Sequence, residues 1–87
     1  MNDLLVVIPA LNEEKSIGRL LDKIIPKFNT LVVSDGSTDK TVEISESCGA
    51  KVLSFKSHKG YDKVINEGFS YAAANGYKKI ITFDADG

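Results

Sequence analysis

Leu4-Leu5-Val6-Val7-Ile8 is an unbroken apolar run stopped by Pro9. With no polar face, it reads as a strand buried on both sides, the habit of parallel sheets covered by helices above and below. The next residues fit that reading. Asn12 is placed to cap a helix, and Glu13 and Glu14 fall in its first turn, where the helix dipole favours acids. Ile17, Leu20, Leu21, Ile24 and Ile25 then repeat at helical spacing, and Pro26 closes the helix.

The same alternation continues to the end of the chain. Thr30 to Val33 is a second strand. Ser37 or Thr38 is placed to cap a helix from about Asp39 to Cys48, ended by Gly49. Lys51 to Phe55 is a third strand. Tyr61 to Asn75 is a third helix, with Val64, Ile65, Gly68, Phe69, Ala72 and Ala73 facing inward and Gly76 as its stop; Lys79 to Phe83 is the fourth strand. The class is therefore α/β: a Rossmann-like βαβαβαβ parallel half-sheet, expected in the order 3-2-1-4. Residues 1–87 are expected to form one domain. In that order the chain reverses direction between strands 1 and 4, and ligands bind beyond the strand C-termini at such a switch point.

Composition narrows the function. At 43% hydrophobic and 26% charged, the chain reads as globular rather than disordered. A chain this short buries roughly 60–65% of its unfolded surface, enough for one thin core. The formal net charge is −1 and the basic residues are scattered, which argues against a nucleic-acid partner. Cys48 is the single cysteine, so no internal disulfide forms and a reducing compartment is allowed. No apolar run approaches the ~20 residues of a membrane span. Asp3 follows the start at once, and Leu4 to Ile8 is too short for a secretion signal. A cytoplasmic location is expected.

Polar residues cluster after each strand: Pro9 to Glu14, Asp35 to Asp39, Lys56 to Tyr61, and Asp84-Ala85-Asp86-Gly87. All four fall on one edge of the sheet, and three lead into helix N-termini, which favour anions. Each has a plainer reading. Asn12-Glu13-Glu14 makes a helix cap, Asp35-Gly36-Ser37 a turn and cap, and His58-Lys59-Gly60 a solvated turn with an exposed histidine. Asp84 and Asp86 are harder to dismiss. Two carboxylates two positions apart repel unless a cation or water lies between them, and hard divalent ions take such oxygens.

Taken together these segments resemble family 2 glycosyltransferases of the GT-A fold, especially the dolichyl-phosphate mannose synthase-like branch. Val7 to Glu14 looks like the family's opening motif, Val32 to Thr41 its second, His58 to Phe69 its third, and Thr82 to Gly87 its Asp-x-Asp segment. The match spans the chain in order. The resemblance implies transfer of a sugar from a UDP- or GDP-linked donor with a divalent metal, Mg²⁺ or Mn²⁺. It implies a nucleotide site of Pro9, Ala10, Asn12, Glu13, Asp35, Lys59, Gly60 and Asp84. Asp35 would contact the base, and Asp84 and Asp86 the metal. It places the catalytic base, the acceptor pocket and any membrane or lipid contact downstream of residue 87, which makes residues 1–87 an incomplete domain, and it implies a position at a membrane face.

Two residues depart from the family pattern: Ser34 stands where Asp is common, and Asp62 where Gly is frequent. A different class of function stays open, a non-catalytic module binding a nucleotide or a partner chain. A haloacid dehalogenase-type phosphatase shares Asp-x-Asp-Gly but places it on an early strand. A dinucleotide dehydrogenase would need Gly-x-Gly-x-x-Gly after the first strand, and it is absent. Strand 4 is expected to expose an open edge through which the chain self-associates.

Overall fold

Leu5, Val6, Val7 and Ile8 are each no more than 1% exposed, as a strand with helices on both faces requires. A computed structural model describes residues 3–85. The elements run β1 (Leu4–Ala10), α1 (Ile17–Ile24), β2 (Asn29–Asp35), α2 (Thr41–Ser47), β3 (Lys51–Phe55), α3 (Tyr61–Ala74) and β4 (Lys79–Thr82). The sheet is wholly parallel, in the order β3-β2-β1-β4. Fold class and strand order are those expected from the sequence.

Alternation along the strands sorts the core into two layers. Val6, Ile8, Ala10 and Val32 pack with Ile17, Leu21 and Ile24 of α1, and Ile44 of α2 joins them. Leu5, Val7, Leu31 and Val33 pack on the other face with Val64 and Ala72 of α3. Each fully buried aliphatic side chain stabilises the fold by roughly 1.5–3 kcal/mol. Gly68 lets α3 lie close to the sheet: a Cβ there would stand 3.0 Å from Val7 Cγ1.

Several local expectations need correction. Asn12 does not cap α1. It has φ 53°, in the left-handed region that Asn tolerates, and α1 begins four residues later than that cap would require. Glu13 and Glu14 sit in the preceding turn, where the Glu13 carbonyl accepts the N–H groups of Ser16 and Ile17. Likewise α2 starts at Thr41 rather than Asp39; Asp39 stays in the preceding turn, where its carboxylate accepts the Thr41 N–H. On α3 only Val64, Gly68 and Ala72 of the proposed inner face are buried; Phe69 is 55% exposed. β4 ends at Thr82, and Ile81 and Phe83 are 44% and 42% exposed on the flank beside it. The buried stripe of α3 is thus narrower than expected, and among the described residues no strand lies beyond β4 to cover its outer half.

Candidate functional site

The loop after β1 is fastened to the loop after β2 by hydrogen bonds. Asn12 donates its N–H to Ser37 Oγ (3.1 Å), and its Oδ1 accepts the Thr38 N–H (2.8 Å). The Glu13 N–H donates to Thr41 Oγ1, the Glu14 N–H to Asp39 Oδ2, and the Lys40 N–H to Glu14 Oε1. Ser34, fully buried, donates to Ser37 Oγ at 2.8 Å. The Ser34 departure from the family pattern therefore supports this lock from below. Desolvation pushes the Asp39 carboxyl up, but hydrogen bonds from the Thr41 hydroxyl and N–H and the Glu14 N–H outweigh it and hold it below its ordinary value of 3.8. These bonds thus favour the ionised Asp39 carboxylate, and their contribution is lost as pH falls through its lowered value.

Asp35 gathers a third loop. It ends β2 and is 5% exposed. Its Oδ1 accepts the Lys59 N–H at 2.7 Å, its Oδ2 accepts the Gly60 N–H at 3.0 Å, and His58 Nδ1 lies 2.9 Å from Oδ2. The loop passes so close that only glycine fits at position 36. There φ is +85°, and a Cβ would stand 2.6 Å from His58 N and 2.7 Å from the Ser57 carbonyl carbon.

Between these loops and the end of β4 lies a cleft of about 380 Å³ at the switch point. Pro9, Ala10 and Leu11 form its floor, and Glu13, Asp35 and Asp84 bring carboxylates to its walls. His58, Tyr61 and Val64 line it on the α3 side. On the β4 side the Phe83 N–H donates to the Val7 carbonyl and Ser16 Oγ donates to the Ala85 carbonyl at 2.9 Å.

Of the residues expected to bind nucleotide, Pro9, Ala10, Glu13, Asp35 and Asp84 meet in this cleft. Gly60 contributes an N–H to Asp35. Asn12 spends its side chain on Thr38, and the Lys59 side chain lines a separate groove with Phe55 and Lys63. Asp86 lies outside the described residues. Asp84, exposed at a strand end, is a hard oxygen donor of the kind Mg²⁺ or Mn²⁺ takes together with phosphate oxygens and water, so the donor chemistry fits such an ion. Among the described residues no three acidic, His or Cys groups converge into a ready-made metal cage. The sequence reading missed Leu11 and Tyr61 as lining residues and treated His58 as a bystander. Leu11 directly follows β1 and Tyr61 opens α3, positions that carry no periodic signal, and His58 is tied to the site by contact with a residue 23 positions away. Burial pushes the Cys48 thiol up, with Asp22 adding to the shift, which fits a packing role.

Residues 5–87 match the family model described as glycosyl transferase family 2. The chain is 41% identical over 88 residues to an uncharacterized protein of Methanocaldococcus jannaschii, covering 99% of this chain and 36% of that one. It is 38% identical over 96 residues to the 4,4'-diaponeurosporenoate glycosyltransferase of Staphylococcus aureus, covering 95% of this chain and 24% of that one. Its fold is similar to the glucosyl-3-phosphoglycerate synthase of Mycobacterium tuberculosis, with a TM-score of 0.79 at 28% identity over 99% of this chain and 35% of that one. That mycobacterial enzyme has been solved with UDP, and with UDP together with Mn²⁺ or Mg²⁺. The chain spans about a quarter to a third of the length of these relatives. Among the described residues no helix is long and apolar enough to cross a membrane.

Proposed function

Since the chain belongs to glycosyl transferase family 2, we propose that its cleft is the nucleotide half of a donor site for a UDP-linked sugar. The observation that carries this reading is the convergence of Pro9, Glu13, Asp35 and Asp84 on one cleft at the β1/β4 switch point. Pro9, Ala10 and Leu11 would support the base and ribose. Asp35 holds the wall beside them, with Lys59 and Gly60 fixed along it. Glu13 shapes the wall. Asp84 and Asp86 would hold a divalent cation, which when bound supplies charge that stabilises the departing diphosphate. The mycobacterial complexes with UDP support uridine over guanosine. The dolichyl-phosphate mannose synthase-like branch, and with it a lipid acceptor at a cytoplasmic membrane face, rests on Val7 to Glu14; product analysis with a lipid-phosphate acceptor decides it.

Calorimetry with UDP and GDP, with and without Mn²⁺, tests the proposal. UDP is expected to bind more tightly in Mn²⁺, and Asp86→Ala to remove that dependence without changing the thermal unfolding midpoint. Metal-independent binding, or equal binding by the variant, sinks the assignment of Asp86. The 87 residues alone are expected to bind donor without transferring sugar, because transfer needs a positioned acceptor and a group to take its proton.

A second reading is favoured by the flank of β4 and α3. Phe69, Ile81 and Phe83 are all exposed there, and among the described residues β4 is an edge strand. A binding module would use that flank to hold another chain. Isolated protein is then expected to self-associate, with sedimentation rising over a concentration series. A monomer throughout would remove this reading.

A further inference from the structure

At the end of β2 the cleft is lined both by the carboxylate of Asp35 and by the ring that this carboxylate holds, and the ring is by far the more exposed of the two. Asp35 has 7% of its side chain exposed, against 65% for His58. Both Asp35 oxygens already accept hydrogen bonds, from the N–H groups of Lys59 and Gly60, with His58 Nδ1 at 2.9 Å. The Nδ1 atom facing a carboxylate carries the proton, so in the neutral ring Nε2 is left as an acceptor. Nε2 has no hydrogen-bond partner among the described residues, and the ring lines the cleft.

Resting on the donor-site reading above, we infer that His58 is a specificity-determining residue: its Nε2 accepts a hydrogen bond from the N3–H of the uracil ring, and Asp35 positions it. The geometry of the cleft orients the ligand this way. Asp84 stands at the β4 end, where phosphates and a cation belong. The β2 end, walled by a buried carboxylate, repels phosphate and offers Pro9, Leu11 and Tyr61 as apolar surface for a flat base. A hydrogen-bond acceptor there selects a ring nitrogen that carries a proton. Cytosine, whose N3 is itself an acceptor, is refused because two acceptors would be left facing each other.

The test compares UDP with N3-methyl-UDP by calorimetry in a mildly alkaline buffer, which keeps imidazoles neutral. The protein is expected to bind N3-methyl-UDP about tenfold more weakly than UDP, the worth of one hydrogen bond in a sheltered site. His58→Asn keeps an N–H donor near the place of Nδ1, and so the link to Asp35, but has nothing at Nε2. It is expected to fold with an unchanged unfolding midpoint and to bind both nucleotides alike, near the weaker value. His58→Gln, whose amide oxygen reaches the place of Nε2, is expected to restore part of the preference. Discrimination that survives in His58→Asn overturns the inference and hands base recognition to Asp35 or Glu13. An equal loss for both nucleotides in His58→Asn also overturns it, because that result puts the ring against phosphate or ribose. If the unaltered protein binds no uridine nucleotide at all, the donor-site reading falls and this inference with it.

Discussion

Gly36→Ala is expected to destabilise the protein by about 3 kcal/mol and to remove nucleotide binding with it. The residue has φ +85°, and the added carbon would lie 2.6 Å and 2.7 Å from backbone atoms of His58 and Ser57. Backbone cannot rotate away as a side-chain tip can. The loop must lift, and Asp35 then loses the N–H groups of Lys59 and Gly60. A chain of this length has roughly 4–13 kcal/mol of stability in total, so the loss is a large share of it. Urea unfolding alongside a UDP titration measures both effects. A variant of normal stability that still binds UDP would show that the loop is free to move, contrary to the close approach seen at Gly36.

Asp35→Ala is the second large effect, at about 2–3 kcal/mol. It leaves the Lys59 and Gly60 N–H groups without their acceptor, and unsatisfied donors cost more than the bond they made was worth. The His58 contact adds little to that figure, because the ring is 65% exposed and water screens it. Asp35→Asn, which keeps one acceptor oxygen, is expected to lose less stability than Asp35→Ala. Equal losses in the two variants, read by thermal unfolding, would falsify the view that acceptance of backbone N–H groups is the main structural work of this carboxylate.

Much of the fold was legible because burial wrote itself into the strands. Leu4 to Ile8 and Thr30 to Val33 could be read as doubly covered, and four strands separated by helices leave few orders for a right-handed parallel sheet. Helix starts were harder to read. Asn12, Ser37 and Asp39 each carry a good capping side chain, yet Asn12 and Ser37 reach across to another loop, and that preference of loop for loop has no local signature. Phe69 was misplaced for a related reason: its periodicity is that of a buried residue, but the sheet beneath it ends at β4. The site was legible as a set of clusters on one edge, since strand ends fix that much. What each residue does within the set was not. Family pattern points to Asp35 as a ligand contact, and only the structure shows that its oxygens also accept N–H groups from a loop more than 20 residues further on.

The strand order also sets a sequence in time. β1 is synthesised before all the strands it sits among, and its register partners on one side, Lys79 to Thr82, follow only after β2, β3 and three helices. At translation speeds of about 5–20 residues per second, the roughly 75 residues between them take on the order of 4–15 seconds to appear. For that interval Leu4 to Val7, the most apolar stretch of the chain, has β2 to pair with on one side and no strand on the other. β1, an interior strand of the sheet, is therefore an edge strand until β4 emerges, and the nascent chain carries its greatest risk of mispairing before the part of the cleft that bears Asp84 exists.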